Sequence, residues 1–267
     1  MNNLFNAAAR CLTATELEDK LSLTGQFVQT WREGLLSLES QSEPEPIGEP
    51  GRPIKPVLVK FSGVPKRGVG AVKGRAALIH AVTHIEFNAI NLALDAVYRF
   101  RDLPVQFYAD WIRVADEEVS HFRLLRKRLN ELGFDYGDFS AHGGLWDMAK
   151  RTAHDPMVRM ALVPRTLEAR GLDVMPGIMD RFRQVGDGET FAALEVILRD
   201  EVGHVEIGSR WFKYFCEQRE LNFERTFRDL VDKYFFGQLR GPFHYEARQK
   251  AGFTVEELQS LERPGSG

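Results

Sequence analysis

The chain has 267 residues, a formal charge of −3 and 43% hydrophobic residues. That is enough apolar material for a sizeable core, so global disorder is excluded, and the length suits one large domain or one domain with arms. The near-neutral balance, with a pI of about 6.2, gives no whole-protein attraction to nucleic acid.

Two far-separated cysteines, Cys11 and Cys216, make neither a disulfide framework nor a Cys-rich zinc site. A reducing cytoplasm is the simplest setting. No run of about 18 apolar residues predicts a membrane span. The opening stretch, MNNLFNAAARCLTATELEDK, lacks the apolar centre of a signal peptide.

Residues 1–42 read as helical in pieces. Thr15 and Glu18 have the spacing of a capping box, and Gln26 to Leu38 is a second helix candidate. Residues 43–68 hold six of the twelve prolines, which excludes a helix there. Val57, Leu58, Val59 and Phe61 predict that this extended arm lies across the main body through apolar contacts.

From Val69 the pattern changes to helical periodicity. Long helices are expected at about 69–100, 105–132, 156–184 and 188–218, each of about 28 residues and so about 40 Å long. Arg101 to Pro104, the glycine-rich stretch after Gly133, and Gly186-Asp187-Gly188 punctuate them. No segment alternates with period two, which argues against a sheet. The expected fold is all-α: an antiparallel four-helix bundle over 69–218 with a long crossover at 133–155. An N-terminal helical and proline-rich arm over 1–68 precedes it, and a short helical extension over 219–267 follows.

On a helical wheel each long helix has an apolar stripe carrying one carboxylate. These are Glu86, Glu118, Glu168 and Glu201, and His121 and His204 follow the second and fourth by three residues. A turn of helix puts Glu and His of each Glu-x-x-His on one face. Four carboxylates aimed at one core repel unless cations sit between them. A Glu from each of two helices plus Glu-x-x-His from each of two others is the ligand pattern of di-iron and di-manganese carboxylate bundles. The Glu to Glu spacings, 32 and 33 residues, repeat across the two helix pairs. A lone Glu-x-x-His is weak evidence; two interleaved with matched inward glutamates are strong. The competing reading is a metal-free core in which cations neutralise the glutamates, Arg165 being placed to do so for Glu168.

The blocks GRAALIHAVTHIEFNAINLALDAVYRF, DWIRVADEEVSHFRLL, LVPRTLEARGLDVMPG and RDEVGHVEIGSRWF resemble the ferritin-like superfamily, and more closely a bacterial ferritin-like domain family of uncharacterised function. The resemblance covers roughly residues 50–217. It implies a ferritin-like bundle with a dinuclear site ligated by Glu86, Glu118, His121, Glu168, Glu201 and His204, and it implies no substrate.

Other motifs have blander readings. His80 and His84 fall on the face away from Glu86, suited to hydrogen bonding with the arm or solvent, with a second metal site as the alternative. Glu117 and Asp200 either orient a ligand imidazole or are solvated. The basic run Arg123 to Arg128 reads as a solvated helix end, a tRNA-facing patch being the sharper alternative. Pro164 and Pro176 predict a distorted third helix around Glu168. His142, His154 and His244 suit loops or caps.

The favoured expectation is an oxidoreductase with two iron ions, or Mn/Fe or Mn, activating O₂ or peroxide on a small-molecule substrate. Glu118 and Glu201 would bridge, with Glu86 and Glu168 terminal. The electron donor is open, and a homodimer is the assembly weighed. The alternatives are a ferroxidase or iron-handling protein, although arms on both sides of the bundle would hinder a storage cage, and a binding or scaffold protein with a structural metal.

Overall fold

A computed structural model gives the fold and describes residues 2–39, 43–60, 68–235, 239 and 241–262. The chain is mostly helical and divides into two compact units, Met1–Lys150 and Arg151–Gly267. Among the described residues no helix is long and apolar enough to cross a membrane.

The first unit opens with β1 (Asn2–Asn3), α1 (Leu4–Thr13), α2 (Leu17–Arg32) and β2 (Leu36–Ser37), the two short strands pairing in parallel. Asn3 caps α1 by accepting from the backbone N–H of Phe5 and Asn6. The far end of α1 is closed by Lys20, a fully buried lysine whose Nζ donates to the carbonyls of Cys11 (2.8 Å) and Leu12 (2.9 Å). The expected Thr15/Glu18 capping box does not form. The cap position is Glu16, which makes no side-chain cap bond, so Glu18 lies one residue too early. Gln26 to Leu38 is not a separate helix either. Its first half continues α2, and the helix stops at Arg32, before the left-handed Gly34.

The long hairpin of this unit is α3 (Val72–Arg99) and α4 (Val105–Glu131). The Tyr108 hydroxyl ties its turn, donating to the Phe100 carbonyl (3.1 Å) and accepting from the Leu103 N–H (3.2 Å). After α4 the Gly133 backbone is left-handed, and the Phe134 N–H returns to the Leu129 carbonyl at 3.0 Å, a Schellman closure. The crossover is not bare loop, because α5 (Gly144–Arg151) occupies part of it.

The described part of the arm, 43–60, lies on this unit by a different means from the one expected. Val57 is 62% exposed, Leu58 and Val59 are half-buried, and Phe61 falls outside the described residues. The anchors are backbone bonds and prolines. Val59 N–H donates to Ala141 O, Ala141 N–H to Val57 O, Gly51 N–H to Leu12 O and Trp146 Nε1 to Gly48 O, while Pro50 and Pro56 are buried.

The second unit carries α6 (Pro156–Leu162), a π turn (Val163–Glu168), α7 (Ala169–Gln184) and α8 (Gly188–Gln218), followed by α9 (Phe223–Phe235), α10 (Tyr245–Lys250) and α11 (Val255–Glu262). Gly186 has φ +73° and the Asp187 N–H returns to the Phe182 carbonyl, ending α7; the Asp187 side chain then caps α8 at Thr190 N. The π turn sits where Pro164 removes a ladder donor, and the Thr166 hydroxyl donates to the Ala161 carbonyl at 2.8 Å. Distortion around Pro164 is as expected; at Pro176 it is not, since α7 runs on through that residue between buried Leu172, Met175 and Met179. Packing there outweighs one missing donor.

The π turn fits tightly against α8. A Cβ on Gly208 would overlap the Pro164 ring. Gly208→Ala is therefore expected to destabilise the protein by about 1–3 kcal/mol, read from denaturant midpoints. A midpoint equal to the parent's would show that the turn yields freely.

Candidate metal centre

In the first unit α3 supplies Glu86, and α4 supplies Glu118 with His121 one turn later. All three are buried, at 2%, 1% and 2% exposure. His121 Nδ1 stands 3.4 Å from Glu86 Oε2 and 3.4 Å from Glu118 Oε2. Each residue offers one ligand atom, and these atoms lie within 4.8 Å of one another. Two carboxylates and an imidazole converging on one buried point suit a metal ion. The oxygen and nitrogen donors favour iron or manganese over thiolate-seeking metals.

The electrostatics point the same way. Burial, then the nearby Glu118, push Glu86 up to about 8, against the pull of His121. Burial opposes a charge on His121, yet hydrogen bonds and charge from Glu118 and Glu86 raise it to about 11. Without a metal, protons on Glu86 and His121 offset the carboxylate charge that a bound cation would otherwise balance.

The second unit repeats the helical half of this pattern. On α8, His204 Nδ1 lies 3.4 Å from Glu201 Oε1, the histidine buried and the glutamate side chain 12% exposed. Glu168, half-buried, ends the π turn. The expected neutraliser of Glu168 is committed elsewhere: Arg165 is fully buried and bonds both oxygens of Glu257.

His80 and His84 lie on a face that is also buried, so the expectation of a solvent-facing side does not hold. They pin the loop after α4. His80 Nε2 accepts from the Gly137 N–H at 2.9 Å, and its ring stacks on Tyr136. Asn88 Nδ2 donates to the His84 carbonyl at 2.7 Å and faces His84 Nε2 at 3.1 Å. Nε2 is thus the acceptor, and Nδ1–H donates to the Tyr136 hydroxyl at 2.8 Å. Burial, then neighbouring His80, push His84 down to about 4. Tyr136 and Asn88 carry no sequence signal for this role.

Of the remaining candidates, Glu117 is half-buried and Asp200 accepts from Arg199 Nε at 2.9 Å. Part of the basic run is paired within the chain: Arg126 forks onto Asp135 and reaches Glu18, while Arg128 pairs with Glu131. His244 caps α10, as expected of it. A cleft of about 340 Å³ between α1 and α2 is lined by Asn6, Arg10, Cys11, Gln26 and Phe27 among others, and by none of the six candidate ligands.

Among known proteins, a relative from Haemophilus influenzae, itself named only as an uncharacterised protein, is 48% identical over 213 residues, covering 77% of this chain and 74% of the relative. No solved structure matches the chain. A family profile described as "Protein of unknown function (DUF455)" matches residues 13–259. The chain belongs to the DUF455 family.

Proposed function

We propose that the protein is a ferritin-like dinuclear metal protein acting as an oxidoreductase on a small-molecule substrate, with Glu86, Glu118, His121, Glu168, Glu201 and His204 as ligands. The observation that carries this reading is the buried convergence of Glu86, Glu118 and His121 on one point. Two bound iron ions, or manganese in place of one or both, would supply the electrons that activate O₂ or peroxide.

The chain's own part is ligation, orientation and exclusion of water. Glu118, central on α4, and Glu86 on α3 would be among the residues that hold the ions, Glu118 as the expected bridge and Glu86 as the expected terminal ligand. At 1–2% exposure Glu86, Glu118 and His121 are shielded from bulk water. Glu86, raised toward neutrality in the metal-free protein, can hold or release a proton at its carboxyl oxygen.

The test is metal content per chain in the purified protein, combined with O₂ uptake in the presence of a reductant. About two ions per chain with sustained uptake is expected. Retention of many irons per chain would point to storage, and bound metal without uptake to a structural ion. A protein that takes up neither iron nor manganese would overturn the reading.

A further inference from the structure

The cleft between α1 and α2 belongs wholly to the first unit. One face of each helix builds it. On α1, Asn6, Ala7, Arg10 and Cys11 follow the three- and four-residue spacing of a single stripe, and on α2 Leu23, Gln26 and Phe27 do the same. The floor is apolar: Cys11 is 2% and Phe27 3% exposed, while Ala7 and Leu23 are half-buried. Its volume of about 340 Å³ falls at the small end of the range of pockets that hold small molecules, about 300–1,000 Å³.

The polar side of the cleft carries one sign of charge. Among the described residues that line it there is no Asp or Glu, and Arg10 is the one charged side chain. Burial pushes the Cys11 thiol up to about 11, against the pull of Lys20 and Arg10, so at neutral pH it supplies no counter-charge. Among the described residues the Arg10 guanidinium and the Asn6 amide have neither a hydrogen bond nor an ion pair, and both are exposed at the rim. They stand four residues apart on α1, where side chains are neighbours. A guanidinium fork matches the two oxygens of a carboxylate, and the amide N–H one turn away can donate to the same group. A phosphate monoester carries nearly two charges, and this cleft has one cation to balance them.

We propose that the cleft binds a small organic monocarboxylate, its carboxylate held by Arg10 and Asn6 and its apolar body lying over Ala7, Leu23 and Phe27. None of the six candidate metal ligands takes part, so this site stands apart from the dinuclear reading.

Equilibrium dialysis of the full chain against hexanoate, hexanamide and hexyl phosphate tests it. Hexanoate should bind saturably, one per chain, and at least roughly tenfold more tightly than hexanamide, because a hydrogen bond to a charged group is worth about 10–100-fold in affinity. Arg10→Gln should weaken hexanoate by the same factor, and Ala7→Phe, which fills the cleft, should abolish its binding. Arg10 also lies in the last turn of α1, where any cation favours the helix end. Arg10→Lys separates the two roles: it should keep the parent's melting temperature yet bind hexanoate more weakly. No saturable binding of hexanoate overturns the proposal. So does binding at the parent's strength in Arg10→Gln, which would place the carboxylate elsewhere, the metal centre included. Hexyl phosphate binding as tightly as hexanoate overturns the assignment to a monocarboxylate. If Ala7→Phe does not fold, Arg10→Gln, at an exposed position, still decides.

Discussion

Glu118→Ala is expected to strip the protein of its metal while leaving its helices intact. Glu118 is 1% exposed at the centre of α4, one turn from His121 and level with Glu86. In the proposed site it would bridge, as would Glu201, so its loss would remove a shared ligand and not one bond. Because even outer partners of metal ligands typically cost 10–100-fold in affinity, loss of a bridging ligand should cost on the order of 100-fold or more. Metal per chain should fall below about one. The helical signal should survive, because the stripes of Phe107, Trp111, Phe122, Leu125 and Leu129 on the same helix supply the burial. His84→Ala is the matched control. It removes a buried imidazole from the same hairpin and frees Tyr136, so it should lower the melting temperature while leaving metal content unchanged. Full occupancy in Glu118→Ala together with metal loss in His84→Ala would move the site to the other side of α3.

The long helices were legible because their ends are written in local chemistry. Pro104, Gly133 and the Gly186-Asp187 pair each perform a backbone task that few residues can, and each task depends on neighbours only. The Glu-x-x-His pairs were legible because a carboxylate in an apolar stripe contradicts its surroundings, and two such contradictions at one spacing share a cause. The wheel misled where burial has no preferred side. Almost every residue of α3 from Leu78 to Tyr98 is buried, so the face opposite Glu86 is a second core face and His84 never meets solvent. Long-range polar pairs were invisible for a different reason. Lys20 serves the end of the preceding helix, and Arg165 is matched to a glutamate 92 residues away. The π turn after α6 had Pro164 as its sole trace in the sequence.

Loading the metal-free protein with iron(II) or manganese(II) at pH 7 is expected to release about two protons from the Glu86–Glu118–His121 cluster. Glu86 sits at about 8 against an ordinary 4.5, and His121 at about 11 against 6.5. Both values are raised on folding, so the folded metal-free protein binds more protons than the unfolded chain. The contribution of Glu86 is full below about pH 4.5 and is lost as the pH rises through 8; that of His121 is full below about 6.5 and is lost as the pH rises through 11. The metal-free protein should therefore lose stability with rising pH, with both groups contributing between about 6.5 and 8. A metal ligated by both residues replaces these protons. Release from the cluster should fall to about one near pH 9.5, where Glu86 is already ionised, so apparent metal affinity should rise steeply with pH near neutrality and less steeply above about pH 8. Calorimetry in buffers of different ionisation enthalpy counts the protons, and Glu86→Gln isolates one of them: it cannot ionise, so release at pH 7 should drop by about one. Metal binding with no linked proton release, or with the same release in Glu86→Gln as in the parent, would show that the ion does not sit among these three residues.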